Sequence, residues 1–217
     1  MENSNNKLNS LWTLWYHNPN DSNWDLKSYN KVMELRTIND FWDMFTILKT
    51  SHFQNGMFFI MRGDIKPMWE DRHNVDGGCW SFRVNKKDVP KTWQELVMYS
   101  LGESLMKEPN YSKTINGISI SPKRSFSILK IWNNNVKINE SNLLNSVEGL
   151  NMNEIMYKPH VDSIDKDREK RLNKQKNDLK EKPTSENKED NEDEDDEEDI
   201  LMYQEHQARM QQMLASN

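Results

Sequence analysis

Two tryptophans stand where no packing period asks for one. Trp24 lies in the polar stretch Asn-Asp-Ser-Asn-Trp-Asp-Leu (20–26), and Trp69 in Lys-Pro-Met-Trp-Glu-Asp-Arg (66–72), with Glu70 directly beside it. Further along, Lys123, Arg124 and Lys130 fall in or near a hairpin that ends at Trp132. An indole face stacks on a nucleic-acid base, and more strongly on a cationic one. A carboxylate accepts two parallel donors of the kind a guanine edge offers, and Lys or Arg neutralises phosphates. Taken together these residues describe a pocket for a purine with a phosphate tail. Each also has an ordinary alternative: a loop tryptophan can be a lid over the core, Glu70 a solvated acid, and Lys123 and Arg124 hairpin-tip charges.

Nothing in the chain compels catalysis. There is no phosphate-cradling Gly loop with Lys-Ser/Thr, no nucleophile elbow and no His-Glu-x-x-His. The five histidines (17, 52, 73, 160, 206) are scattered. The single cysteine, Cys79, cannot form an internal disulfide, and no Cys/His cluster has zinc spacing, so neither a metal nor a cofactor is expected. No run of about 18 apolar residues suggests a membrane span, and Met1–Tyr16 has no apolar signal region. A soluble, cytoplasmic monomer is the expectation.

The elements that must position these residues are mostly short strands. Leu11–Tyr16, Lys31–Leu35, Met57–Met61, Cys79–Val84, Ile115–Ile120, Phe126–Trp132 and Ile155–Val161 are apolar or alternating segments bounded by Asn, Asp and Gly. That pattern predicts antiparallel strands. Phe41, Met44, Phe45 and Leu48 recur at helical spacing and predict a helix over 40–49, with Asn39 as N-cap. Trp93, Leu96 and Val97 after Pro90 predict a second helix over 90–100, and Leu143, Leu144 and Val147 a third over 141–150. Strands with interspersed helices, joined by connections too short for repeated βαβ units, give an α+β class. The remaining tryptophans (12, 15, 42, 80 and 93) fit strand or helix periods and read as packing residues.

Charge divides the chain. Residues 1–161 carry 19 Lys+Arg and 17 Asp+Glu; residues 162–217 carry 10 and 18, so the net charge of −6 belongs to the C-terminal part. Ten of the eleven positions 189–199 are acidic, a run that repels itself and buries nothing. The expected division is a flexible N-terminus over 1–8, one domain over 9–162 and a charged, disordered tail over 163–217, whose first stretch could also be a solvated helix. In the tail, a Tyr-x-x-x-x-Leu docking pattern starting at Tyr203 fails, because Ala208 stands at the leucine position.

The order of the pieces resembles the translation initiation factor 4E family, whose members bind the 5′ cap of messenger RNA. The segments that carry the resemblance are Leu-Trp-Thr-Leu-Trp-Tyr (11–16), Asn-Asp-Phe-Trp (39–42), Ile-Lys-Pro-Met-Trp-Glu-Asp (65–71), Gly-Gly-Cys-Trp (77–80), Trp-Gln-Glu-Leu (93–96), Leu-Gly-Glu-Ser (101–104) and Ile-Trp (131–132). The resemblance implies a curved, mostly antiparallel sheet with about three helices on its convex face and a cap pocket on its concave face. It implies that Trp24 and Trp69 sandwich 7-methylguanine, that Glu70 accepts from the ring N–H and exocyclic amine, and that Trp132 touches the 7-methyl group. It places Lys123 at the family's phosphate-binding Arg, while the next two basic positions become Ser125 and Ile128. Arg124 or Lys130 could compensate, since alternation puts Lys130 on the face of Trp132. His160 resembles a position near the far side of the cap.

On the convex face the resemblance implies docking of scaffold factor 4G or a 4E-binding-protein-like peptide, with Trp42 central and Ile38, Glu95 and Met98 around it. An apolar Trp-centred patch suits a helix-in-groove partner. The expected role is therefore a non-enzymatic cap-binding protein in translation initiation. A repressor or decoy that holds the cap without productive docking is the alternative, because Gln94 replaces an apolar residue and the His-Pro-Leu segment before the first strand is absent at Leu8–Ser10. An enzyme acting on caps or nucleotides is the more remote one.

Overall fold

The computed structural model describes residues 6–178. Seven strands, β1 (Lys7–His17), β2 (Tyr29–Thr37), β3 (Met57–Arg62), β4 (Gly78–Asn85), β5 (Ile115–Pro122), β6 (Phe126–Asn133) and β7 (Met156–Pro159), form one sheet in the order β2-β1-β3-β5-β6-β4-β7. Every neighbouring pair is antiparallel. With helices α1 (Ile38–Ile47), α2 (Thr50–Asn55), α3 (Val89–Leu101) and α4 (His160–Asp178), this is the expected α+β architecture around a curved open sheet. All seven expected strands are present. None of the described helices is long and apolar enough to cross a membrane.

Alternation along the strands separates two apolar layers. Trp12, Leu14, Phe58, Ile60, Trp80, Phe82, Ile118 and Ile131 point to one face, where Phe41 and Met44 of α1, Phe53 of α2 and Trp93, Leu96 and Val97 of α3 complete the main core. Trp15, Phe59, Met61, Cys79 and Trp132 point to the other face and join Tyr29 and Met57 in a second, smaller cluster. The second cluster floors the concave side.

Several local outcomes differ from the sequence expectations. The cap of α1 is Thr37, not Asn39: Thr37 Oγ1 accepts from the Asp40 N–H at 3.2 Å, and Asp40 accepts from the Thr37 N–H at 2.7 Å. This reciprocal box satisfies two otherwise orphaned donors, and Asn39 is already inside the helix. Over 141–150 only a 3₁₀ turn, Ser141–Leu143, is helical. The segment instead pairs with 105–107, through Asn145 N–H to Leu105 O and Lys107 N–H to Leu143 O, and turns at Gly149 with φ of +88°. Leu144, Val147 and Leu150 are buried all the same, so tertiary pairing meets the apolar demand without a helix. The seventh strand stops at Pro159, and α4 starts at His160 and crosses the point where composition changes. Residues 179–217, including the acidic run and Tyr203, lie outside the described residues.

Glu103 ends α3 in an unusual way. Its φ is +53°, and its side chain reaches across to β1 and β3, accepting from Ser10 at 2.6 Å and Arg62 at 2.5 Å. Arg62 also donates to the carbonyls of Ile115 and Ser112 and lies over the Trp12 ring at 4.4 Å. Burial by itself would raise the Glu103 pKa, but hydrogen bonds from Ser10 and Arg62 outweigh it and hold the carboxyl below its ordinary value. A carboxylate depressed in the folded state contributes stability above its unfolded pKa and loses it on acidification. We expect Glu103→Ala to cost about 2–3 kcal/mol, since it strands a largely buried guanidinium. Chemical denaturation should show that deficit at pH 7 and a smaller one below about pH 4.

Candidate functional site

The loop between β1 and β2 that carries Trp24 is built from its own polar side chains. Asn18, Asp21 and Asn23 each accept, through their side-chain oxygens, from the backbone N–H two residues on, at 3.1, 2.9 and 3.0 Å. Such Asx turns account for the Asn/Asp-rich spelling of the segment. His17, fully buried at the end of β1, donates from Nε2 to the Asn23 carbonyl at 3.0 Å and stacks on Trp24, with ring centroids 4.2 Å apart and planes 4° from parallel. One indole face is therefore backed by protein, while Trp24 remains 38% exposed.

Trp69 and Glu70 ride on the loop between β3 and β4, and again polar side chains fix the backbone. Asp71 accepts from the N–H groups of Lys66 and His73. Asn74, fully buried, donates to the carbonyls of Lys66 and Met68 and accepts from Asn116 of β5 at 2.9 Å. At the loop's exit, a Cβ on Gly77 would sit 1.9 Å from the Asn133 carbonyl oxygen, and one on Gly78 would sit 2.5 Å from the Tyr157 hydroxyl. Only glycine admits that approach, which explains the Gly-Gly pair. Trp69 packs half-buried against the second cluster. Glu70 is exposed and takes part in no hydrogen bond or ion pair among the described residues.

These two loops meet over one cavity of about 600 Å³ on the concave face. Of the expected ligand residues, Trp24, Trp69, Glu70, Trp132, Lys123 and Lys130 line it. Trp132 forms part of the floor, only 3% exposed, with Nε1 donating to Ser119 Oγ at 2.9 Å and its ring edge-on to Phe59. Tyr29 belongs to the same floor, its hydroxyl pKa pushed up by burial and by the negative charges of Glu70 and Asp167. Arg124, at the hairpin tip, is exposed and outside the cavity wall. His160 is also off the wall: it is 1% exposed and lies against Trp132, ring centroids 4.7 Å apart. Neither of its ring nitrogens has a hydrogen-bond partner among the described residues.

A third wall was not anticipated from the sequence. Asp162, Ser163, Lys166, Asp167, Lys170 and Arg171 of α4 line the cavity, with Lys158 of β7 beside them. The i, i+4 spacing of 162, 166 and 170 could have signalled a shared face, but no apolar period marks it. No group of three or more His, Cys, Asp or Glu among the described residues could hold a metal ion. Chemically, the cavity offers aromatic faces, the carboxylates of Glu70, Asp162 and Asp167, and lysines, which suits stacking, an amidine-like edge and an anion.

On the helix-bearing face, Trp42, Ile38 and Met98 are 54%, 45% and 47% exposed, and Glu95 is half-buried. Trp42 meets the buried Phe41 edge-on but is itself left uncovered.

The sequence profile described as Eukaryotic initiation factor 4E matches residues 7–175. The chain belongs to the eukaryotic initiation factor 4E family. Eukaryotic translation initiation factor 4E of Saccharomyces cerevisiae is 29% identical over 133 residues, covering 58% of this chain and 60% of that protein. Its counterpart in Eremothecium gossypii is 31% identical over 138 residues, covering 60% and 63%. The chain thus spans less than two thirds of the length of either relative. Among solved structures of the family, Ascaris suum eIF4E-3 with an m2,2,7G cap superposes with a TM-score of 0.53 at 25% identity, covering 60% of this chain and 74% of that one. Schistosome eIF4E complexed with m7GpppG and 4E-BP gives 0.55 at 26% identity, covering 61% and 74%.

The buried imidazole of His160 carries a testable consequence. Burial, and then the charge of Lys130, push its pKa down from 6.5 to about 3. The unfolded chain therefore binds a proton that the folded chain refuses, so stability is full above about pH 6.5 and declines as pH falls toward 3. Replacing His160 by Leu should flatten the decline between pH 6.5 and 5 in equilibrium unfolding. An unchanged slope would show that this imidazole is not the group responsible.

Proposed function

We propose that this protein binds the 7-methylguanosine 5′ cap of messenger RNA and brings it to translation initiation through a docking surface for a scaffold peptide. The observation that carries the reading is the convergence of Trp24 and Trp69, from loops 45 positions apart, on one cavity with an unpaired Glu70 and an aromatic floor. Methylation at N7 leaves the guanine ring cationic, and indole faces attract cations through the ring quadrupole. Glu70, with no protein donor, accepts from the ring N–H and the exocyclic amine. Trp132 lies where the methyl group would rest. This is recognition without turnover, by a binding protein and not an enzyme. The cap complexes named for the Ascaris and schistosome proteins support the same reading.

For the opposite face, the exposed Trp42 with Ile38, Met98 and Glu95 fits an amphipathic helix of factor 4G or of a 4E-binding-protein-like peptide. The schistosome complex with 4E-BP supports a partner of this kind. We read the cap and peptide surfaces as serving one bridging role. A cap-holding repressor would keep the first and lack productive use of the second.

Tryptophan fluorescence during titration tests the cap site: 7-methyl-GTP should quench strongly and GTP weakly. Trp24→Ala and Trp69→Ala should each lose about 1–3 kcal/mol of binding. Glu70→Ala should lose a similar amount and, with it, the preference for guanine; undiminished cap binding by that variant would overturn the assignment. For the docking face, Trp42→Ala should abolish binding of a factor 4G peptide while leaving cap affinity unchanged. A wild-type protein that binds the cap but no such peptide is the decoy.

A further inference from the structure

His17 is the last residue of β1, an inner strand, and register sets it opposite Tyr29 of β2 and Met57 of β3. Alternation puts it on the face of Trp15, two residues before, so its ring rises from the sheet on the concave side, fully buried. From there it holds the Trp24 loop at two points. Nε2 donates to the carbonyl of Asn23, which belongs to the peptide that carries Trp24. The imidazole plane then lies flat against the indole, 4.2 Å away between centroids. Nδ1 has no hydrogen-bond partner among the described residues, so the hydrogen bond of this ring goes to the Trp24 loop. Tyr29 leans on both rings, at 4.9 Å from His17 and 6.4 Å from Trp24, and is itself edge-on to Phe59 of β3. The Asx turns of the loop shape its backbone, but none of them reaches the indole. An aliphatic side chain at position 17 would fill the same space, yet it could neither donate to a carbonyl nor present a flat face. Trp24 is part of the cavity wall, and the cover by His17 leaves its other face for a ligand.

We infer that His17 is a positioning residue for ligand binding: it fixes the rotamer of Trp24 and covers its inner face, so that a stacked base finds the outer face already set. The inference rests on the stacking reading above and adds to it a residue that never touches the ligand. Its effect is one of entropy. An indole left free in a loop gives up its rotamers when the ligand binds, and affinity falls by the cost of immobilising one side chain. Held by a ring whose own strand is paired on both sides, Trp24 loses that freedom on folding instead. The base then completes a stack of three rings, His17, Trp24 and the base, in parallel contact.

The test titrates 7-methyl-GTP and GTP into the full chain and into three variants of one position. His17→Leu fills the space with neither a flat face nor a donor, and should weaken 7-methyl-GTP binding about three- to tenfold. His17→Phe restores the flat ring alone and should recover most of that loss. His17→Gln restores a donor alone and should recover less. Without ligand, acrylamide should quench Trp24 more readily in His17→Leu than in the wild type, with Trp24 emission taken as the difference between each protein and its Trp24→Ala counterpart. In a Trp24→Ala background, His17→Leu should change affinity no further. A merely structural role would lower the unfolding midpoint without that ranking or that dependence on Trp24. Full affinity in His17→Leu, an equal loss in the Trp24→Ala background, or no better binding by His17→Phe than by His17→Gln refutes the role. Should His17→Leu fail to fold, the order of Phe over Gln and their acrylamide quenching decide. Should Trp24→Ala bind too weakly to titrate, the rescue by Phe decides. The two readings fail separately. Weakened binding in Trp24→Ala but not in His17→Leu ends this inference and leaves the stacking reading. Binding that depends on both residues but does not distinguish 7-methyl-GTP from GTP ends the cap reading and leaves this one. Undiminished binding in Trp24→Ala ends both.

Discussion

A strand shows successive side chains to opposite faces, and in this sheet neither face can be left to water. Along β3 every residue from Met57 to Met61 is buried, Phe58 and Ile60 toward the helices and Phe59 and Met61 toward the concave side. The two demands are met differently. The convex side is closed by α1, α2 and α3, which bury their own apolar faces in doing so. The concave side has too few apolar residues to close, so its cluster of Trp15, Tyr29, Phe59 and Trp132 ends as a floor. A cavity follows from that imbalance, at the place where the second core stops.

Over that floor the aromatic walls are set by polar chemistry and not by hydrophobic packing. Trp24 owes its place to a ladder of Asx turns and to the stack on His17, and Trp69 to the hydrogen bonds of Asp71 and Asn74. Burial of Asp71 would raise its pKa, yet hydrogen bonds from His73 and Lys66 more than offset this and hold it low. Fixing a loop before the ligand arrives spares the binding step the entropy of ordering it. The close approach at Gly77 and Gly78 then ties the Trp69 loop to Asn133 and Tyr157, one residue beyond Trp132 and one before Lys158, so that loop, β6 and β7 share an anchor.

How much of this was legible depends on whether the signal was periodic. The strands were, because two-residue alternation is imposed by a sheet with distinct faces; α3 was, because Trp93, Leu96 and Val97 must meet the main core. The loop tryptophans were visible for the opposite reason, as aromatics in polar sequence that no period explained. The missed features lack a period. α2 is six residues long with one buried side chain, Phe53. The 141–150 segment has a helical spacing of leucines but finds better partners in 105–107. The Thr37 cap competes with Asn39, two residues later, for the same signal, and only the return bond from Asp40 decides between them. Asn74 and Asn116, which hold the Trp69 loop to the sheet, are asparagines in an asparagine-rich chain and carry no mark of their burial.

The C-terminal helix shows why composition misleads here. Counted from Asp162 onward, the chain is strongly acidic, and an acidic segment beside the cavity reads as repulsive to an anion. But net charge is a sum over residues, while a site responds to a face. On α4 the side chains that reach the cavity include Lys166, Lys170 and Arg171, against Asp162 and Asp167, while Asp165 and Glu169 are not on the wall. At physiological ionic strength screening confines each charge to about 8 Å. A lysine in the cavity wall therefore outweighs acids many residues further along the chain. The sign of the cavity wall is that of the local surface, and there Lys130 and Lys158 on the strands add positive charge. The break in composition at residue 162 and the edge of the site thus fall in different places, because a helix sorts by angle what a count adds by number.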